Sequence, residues 1–87
     1  MNYDVRLRRE AQKNLDRLRG KGYEVVFETI LSLRNNPRPE SVKKLKDSGL
    51  WRIRVGDFRI VYAIDDSTDS VIVVRVTRRS EDTYKRL

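Results

Sequence analysis

Residues 2–7, NYDVRL, alternate. Tyr3, Val5 and Leu7 stand against Asn2, Asp4 and Arg6. Successive side chains of a strand leave opposite faces, so this period of two predicts a short, half-buried strand. The period then lengthens. Ala11, Leu15 and Leu18 recur at i, i+4 and i+7, one face of a helix over about residues 8–19, with no obvious capping side chain at its start. Gly20 and Gly22 flank Lys21 and predict a break. A second helical pattern follows in Tyr23, Val26, Phe27, Ile30 and Leu31, and Asn35, Asn36 and Pro37 stop it. Two helices joined by GKG predict an antiparallel helical hairpin.

The stretch PRPESVKKLKDSGL is polar and has little periodicity, which predicts a loop bearing Lys43, Lys44 and Lys46. Alternation returns in WRIRVGDFRIVY, residues 51–62. A two-residue turn at Gly56-Asp57 pairs Val55 with Phe58 and sets Arg54 directly across from Arg59. Trp51, Ile53, Val55, Phe58, Ile60, Tyr62 and Ile64 then share the face that packs on the helices. Arg52, Arg54 and Arg59 share the other. DDSTD turns the chain into a last strand over residues 70–77. If Ile64 pairs with Val71, Val76 and Arg78 join the arginine face; a slip by one residue brings Arg75 and Thr77 instead, and a bulge near the end brings Arg79. The tail RRSEDTYKRL reads as a short helix or an ordered arm. The order is β-α-α-β-β-β plus tail, an α+β domain with a helical hairpin on one face of a small, mostly antiparallel sheet.

Length and composition narrow the picture. Eighty-seven residues make one domain, 1–87. Cysteine and histidine are both absent, so disulfides are excluded and no metal or other cofactor is expected. No run approaches the ~20 apolar residues of a membrane span, so no membrane partner is expected. Charges interrupt MNYDVRLRRE too early for a secretory signal, and a reducing, cytoplasmic home is the simplest expectation. The net charge of +7 favours a polyanionic partner. It also changes the meaning of the hairpin. Like charges directly opposite on a sheet destabilise it. Clustered guanidiniums, each a planar fork of donors, suit phosphates, and a polyanion relieves their repulsion.

KKLKDSGLWRIRVGDFRIVYAI, with LRNNPRP before it and VTRRSEDTY after it, resembles the RelE toxins of the RelE/ParE superfamily. The resemblance covers nearly the whole chain and implies a fold like that of small microbial ribonucleases. It implies the toxin of a type II toxin–antitoxin pair, held by a RelB-like antitoxin. It further implies a metal-independent endoribonuclease, an mRNA interferase that enters the decoding site of the ribosome, cleaves mRNA there by 2′-OH transesterification and so stops translation. Carried over, the catalytic positions are Arg52, Arg54, Arg59, a C-terminal arginine at Arg78 or Arg79, and Tyr84. Basic residues outside this cluster, Lys13, Arg17, Lys43, Lys44 and Lys46, are expected to dock on ribosomal RNA. Some relatives carry lysines where this chain has Arg52 and Arg54. An arginine cannot give up its proton as a lowered-pKa lysine can, so both are read as electrostatic stabilisers. The proton acceptor is left among Tyr84 as tyrosinate, Lys44 or Lys46, and water. Two other readings stand beside this one: a ParE-like toxin that inhibits DNA gyrase without cutting RNA, and an inactive RNA- or ribosome-binding relative.

Overall fold

A computed structural model of the chain describes residues 2–78. The elements are β1 (Asp4–Leu7), α1 (Arg9–Asp16), α2 (Gly20–Ser32), β2 (Lys43–Lys44), β3 (Trp51–Val55), β4 (Phe58–Asp65) and β5 (Ser70–Arg78). The strands form one sheet in the order β1-β5-β4-β3-β2. Among the described strands only β1 runs parallel to its neighbour, and the other pairings are antiparallel. The fold class is the expected one, two helices packed on a small, mostly antiparallel sheet, with five described strands where the sequence predicts four. No described helix is long and apolar enough to cross a membrane.

The helical stripes and the alternating strands meet in one core. Ala11 and Leu15 of α1, with Val26 and Ile30 of α2 and Leu33 beyond it, pack on Ile53, Phe58, Ile60, Tyr62, Val71, Val73 and Val76. The most consequential member is Tyr62. Its ring is fully buried, and its hydroxyl donates to the Pro37 carbonyl oxygen at 2.7 Å. Burial pushes that phenol up to about 12 from 10.0, so it stays neutral and acts as a tie between the sheet and the segment after α2.

Three expectations are corrected. α1 ends at Asp16, and the helices are joined by residues 17–19 rather than by GKG. Gly20-Lys21-Gly22 is the first turn of α2, and Gly22 lets that turn lie against the sheet: a Cβ there would stand 3.2 Å from the Phe58 ring. The polar stretch holds a short strand, β2, where Lys43 pairs with Arg52 and Lys44 with Trp51. Finally, the register of β5 combines two readings that the pattern leaves separate. Ile64 does pair with Val71, and Tyr62 with Val73, but Val61 pairs with Arg75. Val74 is therefore an extra residue, a bulge that flips the parity of everything after it. Val76 and Arg78 turn to the helix side, opposite Ile60 and Phe58, and Arg75 and Thr77 turn to the open side, opposite Val61 and Arg59. Beyond the end of β1, α1 takes over the edge of β5: the Asn14 side-chain oxygen accepts the Val76 N–H at 3.0 Å.

Candidate nucleic-acid interface

The open face of the sheet can be assembled from the register alone, because residues directly opposite share a face. One row across the strands is Lys43, Arg52, Val61 and Arg75. The next is Arg54, Arg59 and Thr77. At ~4.8 Å between strands and ~3.4 Å per residue, the rows span about 14 Å and lie about 7 Å apart. Five cations share this patch, and neither row contains a carboxylate. The acids of the same face stand at its far end, in the row Asp65, Ser70 and Asp4. They are engaged there: Asp65 accepts from the Ser67 hydroxyl and N–H, and Asp4 pairs with Arg6 at 2.9 Å. The face is thus basic at one end and acidic at the other.

Arg52 feels this arrangement most. Its guanidinium is pushed below the usual arginine range, first by burial and then by repulsion from Arg54 and Arg59. It is half-buried, and its Nε is enclosed without a hydrogen-bond partner among the described residues. A desolvated cation with an unused donor is set up to receive an anionic oxygen.

The remaining predicted residues are distributed differently. Lys43 joins the arginine face, which the sequence pattern did not anticipate. Lys44 lies on the other side of β2, with its Nζ 5.6 Å from the centre of the Trp51 ring. Arg38 approaches the same ring, at 5.1 Å. Lys46 is exposed in the connection from β2 to β3. Lys13 and Arg17 are exposed on and just after α1, in the helical layer, where they line a shallow hollow with Glu10 and Asn14. Arg78 is not brought to the cluster: it pairs with Phe58, and its guanidinium lies 5.0 Å from the centre of that ring. Arg79 and Tyr84 fall outside the described residues. Arg75 is the member that alternation assigned only under a slipped register. Residues 71–74 are all apolar, so the sequence carries no alternation there that would locate the bulge.

A staple holds the rim. Asp66, in the turn after β4, accepts from the Arg38 guanidinium and from the Tyr3 hydroxyl, both at 2.8 Å. These two bonds, Arg38 first, hold its carboxyl below the usual range, and the bond from Tyr3 to Asp66 pushes the Tyr3 phenol up.

With this geometry in place, comparison with known proteins is decisive. Residues 5–83 match the family described as the ParE toxin of type II toxin–antitoxin system, parDE. The chain belongs to this toxin family. Within it, the likeness is to toxins of the RelE type. The putative toxin RelE1 of Methanocaldococcus jannaschii is 32% identical over 89 residues, covering 98% of each chain. The toxin–antitoxin complex RelBE2 of Mycobacterium tuberculosis contains a chain superposing with a TM-score of 0.82 at 29% identity, over 92% of this toxin and 94% of that chain. The archaeal RelE–RelB complex of Pyrococcus horikoshii gives 0.80 at 27% identity, over 91% and 97%. The protein is a type II toxin–antitoxin toxin of the RelE type.

Proposed function

We propose that this toxin is a metal-independent endoribonuclease that cleaves mRNA in the A site of the ribosome and so inhibits translation. The observation that carries the proposal is that Lys43, Arg52, Arg54, Arg59 and Arg75 share the face of the sheet opposite the helices, in two rows without a carboxylate among the described residues. In the reaction the RNA 2′-oxygen attacks the adjacent phosphorus as its proton leaves. The bond from phosphorus to the 5′ oxygen breaks, giving a 2′,3′-cyclic phosphate and, as that oxygen takes a proton from water, a 5′-hydroxyl. Negative charge grows on the phosphoryl and leaving oxygens, and Arg52, Arg54 and Arg59 are preorganised to stabilise it. The position of Arg78 over Phe58 favours Arg79 as the C-terminal arginine of the mechanism. Tyr84 stacks on an unpaired base and holds the in-line geometry. The arginines do not give up a proton, so the attacking proton passes to water, to Tyr84, or to Lys44 or Lys46. Lys13, Arg17, Lys44 and Lys46 dock the toxin on ribosomal RNA, where contacts position rather than specify. In the cell a RelB-like antitoxin holds it, as the RelE–RelB complexes of its relatives suggest, and it works in the cytoplasm.

The test is cell-free translation of a reporter mRNA, with the new 5′ ends mapped. Cuts within codons at the A site are expected. Arg59→Ala should lower the cleavage rate by about 10²–10³, the usual loss for one charge-stabilising donor. Tyr84→Phe should keep most of the rate and Tyr84→Ala should lose it. The ParE description of the matched family keeps one rival in view: intact mRNA together with trapped gyrase–DNA complexes would replace the nuclease reading with gyrase inhibition.

A further inference from the structure

The cationic patch has a gap. In the row Lys43, Arg52, Val61 and Arg75, the third position is apolar, and Val61 is buried even though it lies on the open face. Lys43, Arg52, Arg54 and Arg59 are gathered on β2, β3 and the start of β4. Arg75 stands alone beyond Val61, on β5, exposed, at a position past the end of β1. It is on this face only because the bulge at Val74 puts it there; without the extra residue, Arg75 would point into the helix layer. Bulges commonly re-aim a side chain beside a working site. The same bulge brings Thr77 opposite Arg59, so that a hydroxyl accompanies the guanidinium at the edge of the patch.

From these positions we infer that Arg75 binds a second phosphate of single-stranded RNA, the one flanking the scissile phosphate, so that the nucleic acid runs across the strands from β3 toward β5. This rests on the RNA-cleaving reading above and adds a substrate track to it. The four cations on the near side of Val61 converge on the phosphate that reacts. Val61, buried between Arg52 and Arg75, marks an uncharged step in the row, where the stretch of nucleic acid between the two phosphates needs no partner. Arg75 fixes the next phosphate and with it the direction of the strand. Among the described strand residues of this face, the carboxylates belong to the Asp65 and Asp4 row, at the other end of β5 from the Arg75 guanidinium.

The experiment measures binding rather than cleavage. The purified full chain is titrated with two DNA oligonucleotides, which lack the 2′-OH and cannot be cut: a dinucleotide with one phosphate, and a hexanucleotide. Arg75→Gln should weaken hexanucleotide binding and lower the slope of log affinity against log salt by about 0.7, the value for one released counterion on a single strand. Dinucleotide binding should be unchanged. Arg75→Lys should restore the slope. Lys21→Gln, which removes the same charge from the exposed start of α2, should change neither. Thermal transitions of all variants should match the parent. Hexanucleotide binding by the parent with an unchanged slope in Arg75→Gln overturns the role of Arg75 and leaves the RNA reading standing. Equal losses on both oligonucleotides overturn the flanking position and place Arg75 on the reacting phosphate. Absence of salt-dependent binding by the parent overturns the RNA reading itself.

Discussion

The two faces of this sheet are made by the same strands and obey opposite rules. On the helix side Ile53, Phe58, Ile60 and Tyr62 are buried, and the one polar tip among them, the Tyr62 hydroxyl, has a partner in the Pro37 carbonyl. On the open side Arg54 stands directly across from Arg59, and Arg52 is repelled by both. Alternation in one hairpin therefore writes a face that holds the fold together and a face that strains it. A sheet stabilised from one side has stability to spare on the other, and strained groups in natural proteins collect where a ligand relieves them. The contrast separates residues that pack the core from residues proposed for the reaction, often one position apart.

The sharpest way to break this division is at adjacent residues. Ile60→Ala should destabilise the protein by about 2–5 kcal/mol, since it empties a fully buried site. Arg59→Ala, one residue earlier, should keep a cooperative thermal transition while cleavage collapses. A thermal scan and a reporter assay on both variants decide it; similar thermal losses in the two would erase the distinction between faces.

Tyr62→Phe should cost about 1–3 kcal/mol, because it leaves the buried Pro37 carbonyl without its donor. It should also change the alkaline limit of stability. The phenol is raised in the folded state, so its contribution is complete below the ordinary value of 10.0 and is lost as pH rises through about 12. Denaturant titrations across that window should show the loss in the parent, and this component of it should vanish in Tyr62→Phe.

A smaller effect, of opposite sign, is expected on the open face. Arg54→Gln removes a like charge from the pair with Arg59 and should stabilise the protein by a few tenths to about 1 kcal/mol. The gain should shrink as salt is added, because exposed charges are screened. Calorimetry at low and moderate ionic strength reads both. A destabilised Arg54→Gln would mean that the arginines support the sheet.

The hairpin at the centre of this comparison was fully legible in the sequence. Its alternation fixes which residues share a face, and Gly56 supplies the positive φ, 58°, that the first position of such a tight turn needs. The neighbouring elements were less legible for physical reasons. A period of two gives parity but does not count residues, so one extra residue at Val74 moved Arg75 and Thr77 onto the arginine face and Arg78 off it. A strand of two lysines has no period to detect; β2 exists because β3 offers it a ladder, and that offer is nonlocal. Gly20 and Gly22 read as a break because glycine weakens a helix, yet at Gly22 the missing side chain is what the Phe58 ring requires. Periodicity does register Arg52, Arg54 and Arg59 as a group, and it is silent about Lys43, which joins them through a pairing made across the fold.

The two-residue strand at the sheet margin has a consequence for how copies of this toxin behave in a crowded solution. An open strand edge is a template on which another chain can extend the sheet, and long, flat, uncharged edges are the hazardous ones. Here the outermost strand presents a ladder only two residues long, and both are lysines, Lys43 and Lys44. A second molecule approaching edge to edge would find little backbone to bond and would bring ammonium against ammonium. At this edge of the sheet, the short basic margin disfavours strand pairing between one molecule and the next.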